Sequence, residues 1–303
     1  MRMKTWTVVK LARAAILATA VLVAMTAGVI WHGNRDAPKP TLAEKQQTFR
    51  RAVGWMRANE ARVLQDGNSA LWWMVQTAAE RTGDDYLKTL VQRAMTLTYG
   101  DTTSAAPPWK RIIYPQAEVA LNMFSLQGFK PYQRFFYHAV TCHPVDLDDG
   151  GDTSEFLGPD LCHPIATQVY AKDAVCSTHQ LIGVKLLQRV GCPTQVDLTK
   201  LESDLLADIE EQMRWDVLFK DAYIQRVLML QWVGHPGQVK PIWLHRVLAA
   251  QQADGGWVGR RHVPELPDWL QPWRLKGQAA PTNFHATAQG LLITALAITE
   301  KPR

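Results

Sequence analysis

Asp173, Cys176 and His179, in the stretch KDAVCSTHQ, are the residues whose types and spacing come nearest to a chemical site. Three residues put Cys176 and His179 on one side of a helix, with Asp173 one turn before. Carboxylate, thiolate and imidazole suit Zn²⁺, while a buried cysteine and a hydrogen-bonded core histidine are the other reading of the same residues. A second group is acidic: Asp146, Asp148 and Asp149 in VDLDDGGDTSE. Its oxygen density suits Ca²⁺, but Gly151 and Asp152 break the EF-hand register, and a solvated acidic loop has the same composition. A third group mixes cations and rings: Lys110 and Arg111 after Trp109, then Arg260, Arg261, Trp269, Trp273 and Arg274. Arginines beside aromatic rings hold a diphosphate or an acidic sugar, and surface solubility calls for the same cations. His138, His143 and His163 add imidazoles with no recognised spacing. There is no Ser-His-Asp motif, phosphate-binding glycine loop or zinc-peptidase signature.

The elements that must position these groups are helices. Apolar spacing with Gly and Pro as punctuation predicts helices over Leu42–Leu64, Asn68–Arg81, Asp84–Leu97, Pro115–Leu126, Pro131–Thr141, Lys172–Val190, Asp197–Arg214, Lys220–Val233, Pro241–Gln252 and Asn283–Thr299. No alternating strand run is present. Some segments are amphipathic, as in Pro241–Gln252, where Leu244, Val247, Leu248 and Gln251 share a face. Others are apolar all round: Asn283–Thr299 carries no charge and must be enclosed by protein. The two kinds alternate. The connections from amphipathic to buried-type helices include the long ones, Thr98–Tyr114, Cys142–Ala171 and Val258–Thr282. An inner ring of helices within an outer ring gives this pattern, with the long loops and the inner-helix N-termini on one face, where free N–H groups favour anions. The expected fold is all-α, an α/α toroid; a stacked helical-repeat solenoid is the competing arrangement.

The stretch QQADGGW adds a resemblance. Gln251, Gly255 and Trp257 have the Gln-x3-Gly-x-Trp spacing of the QW motif of terpenoid cyclases, and the turn is similar to one in protein prenyltransferase β-subunits. The following NFHATAQGLLITALA resembles an inner helix of those prenyltransferases, with His285, Ala286 and Thr287 where the family has a His-Thr pair. The resemblance covers Gln251 to Ala297 and implies a structural role for the QW residues: the Gln ties down a helix end and the Trp stacks beside it. It also implies that His285 joins Asp173, Cys176 and His179 as a zinc ligand or catalytic group in one pocket, although two residues separate Asp173 from Cys176 where the family has one. Asp146-x-Asp148-Asp149 is similar to the acid motif of class II cyclases, whose central Asp, here Asp148, protonates an alkene and needs a raised pKa. The motif departs from that family by running into Gly150 and Gly151, and no second domain of the kind that completes the cyclase cavity accompanies it.

The N-terminus decides the compartment. Ala14 to Trp31 is 18 residues without a charge, long enough to span a bilayer, and follows Arg2, Lys4, Lys10 and Arg13. Its length and the lack of a clean small-x-small site favour an anchor over a cleaved signal peptide. The basic start orients the N-terminus to the cytoplasm. The expected organisation is an anchor or signal over 1–33, a linker over 34–41 and a toroid domain over 42–303, in the inner membrane with the C-terminal domain in the periplasm or outside the cell. Those four cations supply most of the formal net charge of +5, so the remainder is near neutral and a nucleic-acid partner is not expected. Four cysteines in an oxidising space imply disulfides. A straight helix would hold Cys176 and Cys192 about 24 Å apart, beyond the reach of a disulfide, so a Cys142–Cys162 bridge is expected. Two functions fit: an enzyme whose polar or zinc-containing cleft acts on an isoprenoid-like or anionic glycan substrate, or a non-catalytic domain that binds a ligand or protein partner at the cell envelope.

Overall fold

A computed structural model describes residues 3–100, 107–121, 126–143, 157, 175–216, 221–235, 237–259 and 281–300. The described residues are helical: α1 (Met3–Asn34), α2 (Leu42–Ala58), α3 (Glu60–Val63), α4 (Ser69–Thr82), α5 (Asp85–Tyr99), α6 (Lys110–Ile113), α7 (Pro131–Thr141), α8 (Cys176–Val190), α9 (Leu198–Trp215), α10 (Asp221–Trp232), α11 (Pro241–Ala249) and α12 (Phe284–Thr299). Their ends carry the expected chemistry. Thr41 and Glu44 form a capping box on α2, and the side chains of Asn68, Asp84, Asp197 and Asn283 accept from the first turns of α4, α5, α9 and α12.

Three boundaries differ from expectation, each for a local reason. The first long helix breaks at Asn59, whose amide and side chain both donate to the Trp55 carbonyl, at 3.0 and 2.9 Å. The helix expected over Pro115–Leu126 is absent from its described part, residues 115–121 and 126. Tyr114 is extended ahead of Pro115, and the Ala117 carbonyl accepts from Arg111 Nε at 2.8 Å instead of from a helical N–H. The short α6 just before it was not expected. Finally α11 stops at Ala249, because the Gln252 amide turns back to the Gly256 carbonyl at 2.8 Å.

Helix α12 lies deepest. Its residues from Ala286 to Leu296 are buried among α2, α4, α10 and α11. Each large apolar side chain so enclosed contributes about 1.5–3 kcal/mol. Around it, α4 packs on α5 and α6, and α8 packs on α7, α9 and α10. Arg189 at the end of α8 donates to the carbonyls of Ile112 and Ile113 in α6, at 2.8 and 3.1 Å, which brings α8 round towards α4. Residues of α4, α6, α7, α8 and α10 line a cavity of only about 30 Å³ between them.

A disulfide joins Cys142 to Cys192, with Cα atoms 5.1 Å apart, and not to Cys162. Helices α7 and α8 run parallel and close: Tyr132 meets His179 near their starts, and a Cβ on Gly183 would overlap the Phe135 ring. The ends of α7 and α8 that carry Cys142 and Cys192 therefore meet, and Cys142 takes the left-handed conformation (φ 57°) just past α7. Cys162 lies outside the described residues.

Within α1, Ala12–Asn34 is long and apolar enough to cross a membrane, and none of its apolar window is buried by the rest of the chain. Its last residue is held to the helical body. Asn34 Nδ2 donates to the Arg214 carbonyl at 2.7 Å, and Lys240 Nζ donates to the Asn34 carbonyl at 3.5 Å.

Candidate functional site

The turn 251–259 organises one end of the molecule. Gln251 Nε2 donates to the carbonyls of Thr48 in α2 and Gly255, both at 2.9 Å. Gly255 is left-handed (φ +93°) and touches the Arg51 backbone so closely that no Cβ fits. Trp257 is fully buried, and its Nε1 donates to the Val247 carbonyl at 2.8 Å, closing the end of α11. Asp254 accepts from Trp55 Nε1, Thr282 Oγ1 and the Gly256 amide. Burial pushes the Asp254 carboxyl up, but these hydrogen bonds together hold it below its usual value.

The tail of this turn fixes two helix starts. The Trp257 carbonyl accepts from the Asn283 amide at 3.1 Å, and the Trp257 amide donates to Thr287 Oγ1 at 3.1 Å, which sets α12. The Gly259 carbonyl accepts from the Asp221 amide at 3.1 Å, which sets α10. Asp221, the first residue of α10, thereby meets His285, the second of α12: Nδ1 lies 3.0 Å from Oδ2, with both side chains partly exposed. Burial is the largest single influence on His285 and lowers its pKa, but the hydrogen bond and charge of Asp221, with the charge of Asp66, together raise it above the ordinary value. Nδ1–H donates to the carboxylate, and Nε2 faces Gln289 Nε2 at 3.4 Å.

Around this pair stand buried acceptors without donors. Asp221 Oδ1, Gln225 Oε1 and Gln289 Oε1 are buried and make no hydrogen bond. Gln225 follows Asp221 by one turn, and Gln289 follows His285 by one turn, so the first two turns of α10 and α12 carry all four residues. A buried orphan acceptor costs about 1–3 kcal/mol, which a ligand that donates hydrogen bonds would relieve.

The other predicted groups have different surroundings. His179 is half-buried, with Nδ1 at 2.7 Å from the Val175 carbonyl and its ring against Tyr132 and Phe136, at centroid distances of 4.2 and 5.8 Å. Cys176 is disulfide-bonded and offers no thiolate, so the set expected to hold zinc lacks its sulfur ligand. Among the described residues, no three His, Cys, Asp or Glu side chains are grouped to hold a metal ion. Lys110 Nζ lies over the Tyr99 ring at 5.9 Å, Arg111 also donates to the Val140 carbonyl, Trp109 packs on Phe129 and Tyr137, and His138 Nδ1 pairs with the His143 carbonyl. Asp146, Asp148, Asp149, Cys162, His163, Asp173, Arg260, Arg261, Trp269, Trp273 and Arg274 lie outside the described residues.

Sequence reasoning missed a buried polar chain across α8, α9 and α10. Gln212 Nε2 donates to Ser177 Oγ and Asp208 Oδ2, at 3.0 and 2.8 Å, and Gln212 Oε1 accepts from Arg226 Nε at 2.9 Å. Arg226, only 2% exposed, pairs with the buried Asp216. The available signal was Arg226 itself, a charge directly ahead of the apolar run VLML of α10, because a buried cation requires a partner.

These contacts place the N-terminal ends of α8, α10 and α12 together, and the packing of Trp72 on Phe284, at a centroid distance of 5.0 Å, adds that of α4. The Asp221–His285 pair therefore joins the starts of α10 and α12 beside that of α4. Comparison with family models, curated proteins and solved structures finds no match to this chain.

Proposed function

We propose that this chain is a membrane-anchored, periplasm-facing α/α-toroid domain that binds a hydroxyl-bearing, glycan-type ligand at Asp221, Gln225, His285 and Gln289. The observation that carries this reading is the trio of buried acceptors without donors beside the Asp221–His285 pair. An acceptor-rich site that includes the Asp221 carboxylate suits sugar hydroxyls and disfavours a diphosphate, so the glycan is preferred over an isoprenoid diphosphate. The toroid is supported by the starts of α10 and α12 meeting beside that of α4, with α5 packed on α4, α9 on α8 and α10, and α2 on α12. The clasp on Asn34 supports an anchor that is retained, and the basic start supports its orientation.

Catalysis is the second reading, favoured by the Asp221 contact alone. A carboxylate on Nδ1 leaves Nε2 as the atom that would take a proton from a ligand hydroxyl.

The test uses the full chain in lipid nanodiscs, titrated calorimetrically with envelope glycan fragments, with the recovered ligand analysed by mass spectrometry. Gln289→Leu should weaken binding at least tenfold while leaving the free protein as stable or more so, because it removes an orphan acceptor. A destabilised Gln289→Leu variant, or one with unchanged binding, would remove the basis of the reading. Ligand recovered altered by wild type but intact after His285→Gln would establish the enzyme. A reporter fused after Arg303 should be active only in the periplasm.

A further inference from the structure

We infer that Trp215, at the end of α9, lies in the headgroup layer of the bilayer together with Trp31 of α1, so that the groove between α1, α9 and the start of α11 is a membrane-contact surface. The inference rests on the reading of α1 as a membrane span and says how the rest of the chain meets that membrane.

Several observations converge on this groove. The candidate span of 23 residues, Ala12–Asn34, is about 34 Å long at about 1.5 Å per residue, slightly more than a hydrocarbon core of about 30 Å. Its last apolar residue is Trp31, 70% exposed, followed by His32, Asn34 and Arg35. That is the depth at which tryptophan rings collect in membrane proteins. Asn34, less than one helical turn beyond Trp31, donates to the carbonyl of Arg214, the residue before Trp215. Trp215 is therefore held at about the level of the interface by a contact to the span itself. It too is a large apolar side chain left 43% exposed, and its Nε1 donates to Glu211 at 2.8 Å.

Ile30, Trp31, Asn34, Arg35, Asp36, Glu211, Arg214, Trp215 and Lys240 line this one open groove. Cations and acids are mixed there, and Arg214 is paired with Glu210 and Glu211, so attraction to anionic lipid is a minor part of the contact. The two indoles supply the affinity, each with an apolar body for the acyl boundary and an N–H for the polar layer. The span leaves room for lipid, since none of its apolar window is covered by protein.

The experiment places a photoreactive benzoylphenylalanine at one position at a time in the full chain: Trp215→benzoylphenylalanine, Trp31→benzoylphenylalanine and, as a control more accessible than Trp215, Leu97→benzoylphenylalanine. Leu97 is 66% exposed on α5, away from α1. Each variant is reconstituted in a phosphatidylethanolamine and phosphatidylglycerol nanodisc, irradiated and analysed for phospholipid adducts by mass spectrometry. Positions 31 and 215 should both give adducts, several-fold above position 97. Adducts at 31 but not at 215, or equal yields at 215 and 97, would overturn the membrane-contact surface and leave the anchor standing. No adduct at 31 would overturn the anchor and this inference with it.

Discussion

The indole of Trp257 rests against the backbone of Gly290 in α12 so closely that a Cβ there would stand 2.7–2.8 Å from three ring atoms. The ring has no slack to yield, being fully buried and hydrogen-bonded to the Val247 carbonyl. Gly290→Ala should therefore destabilise the protein by about 1–3 kcal/mol through overpacking, measured by denaturant unfolding of the solubilised chain. The backbone of Trp257 also sets the start of α12, so the same substitution should move the titration of His285. An unchanged unfolding midpoint would mean that α12 and the ring can separate without loss.

Asp221 and His285 should be coupled in titration. With Asp221→Asn the carboxylate influence is lost and burial remains, so the His285 pKa should fall from above its ordinary value to below it, as read from the imidazole resonances in NMR spectra. The sign for stability follows. A group whose pKa is raised on folding stabilises fully below its unfolded value of about 6.5 and loses that contribution as pH rises through the folded value. The stability gap between wild type and Asp221→Asn should thus be widest in the mildly acidic range and narrow above neutrality. A gap independent of pH would mean that the pair acts only as a neutral hydrogen bond.

The helical class and most helix positions were legible because they rest on local signals. Asn68, Asp84, Asp197 and Asn283 announce helix starts, and the uncharged run of α12 announces burial. For Gln251 and Trp257 a structural role came only as what the resemblance implies, and both side chains are hydrogen-bonded to backbone carbonyls around the turn. What was not legible depends on contacts across the chain. Asp221 was not singled out, because nothing local says that the Gly259 carbonyl will hold its amide and bring it to His285. Cys192 was not chosen as the partner of Cys142, because only the parallel packing of α7 on α8 brings their C-terminal ends together. His179 carried a zinc expectation from spacing alone, while the Val175 carbonyl and the Tyr132 ring that occupy it come from helix packing.

The Cys142–Cys192 bridge spans 50 residues of sequence, and chain-entropy arithmetic gives a loop of that length about 4 kcal/mol of stabilisation. The double variant Cys142→Ser/Cys192→Ser should unfold earlier by an amount of that order. Because Cys142 is a left-handed non-glycine residue, Cys142→Gly/Cys192→Ser should recover about 1 kcal/mol of the loss. Non-reducing peptide mapping should recover Cys142 linked to Cys192. A Cys142–Cys162 peptide would instead mean that α7 and α8 do not pack as described.

The Arg226–Asp216 pair gives the last test, because it separates a charge kept for stability from one kept for another reason. Both side chains are buried, and removing only the acid takes the carboxylate from a buried guanidinium that Gln212 also binds. Asp216→Ala should therefore cost about 3–5 kcal/mol. Replacing both charges with apolar groups of similar volume, Arg226→Met with Asp216→Leu, removes the buried cation as well and should restore most of that loss, in the manner of other buried ion pairs. The pair stands beside the α10 start that carries Asp221, with Arg246 also donating to the Asp216 carbonyl at 3.4 Å. If the double variant regains stability but shows a displaced His285 titration, the buried charges hold the register of α9 against α10. If it regains neither, the network contributes more than its charges, and triple variants that include Gln212→Leu would locate the remainder.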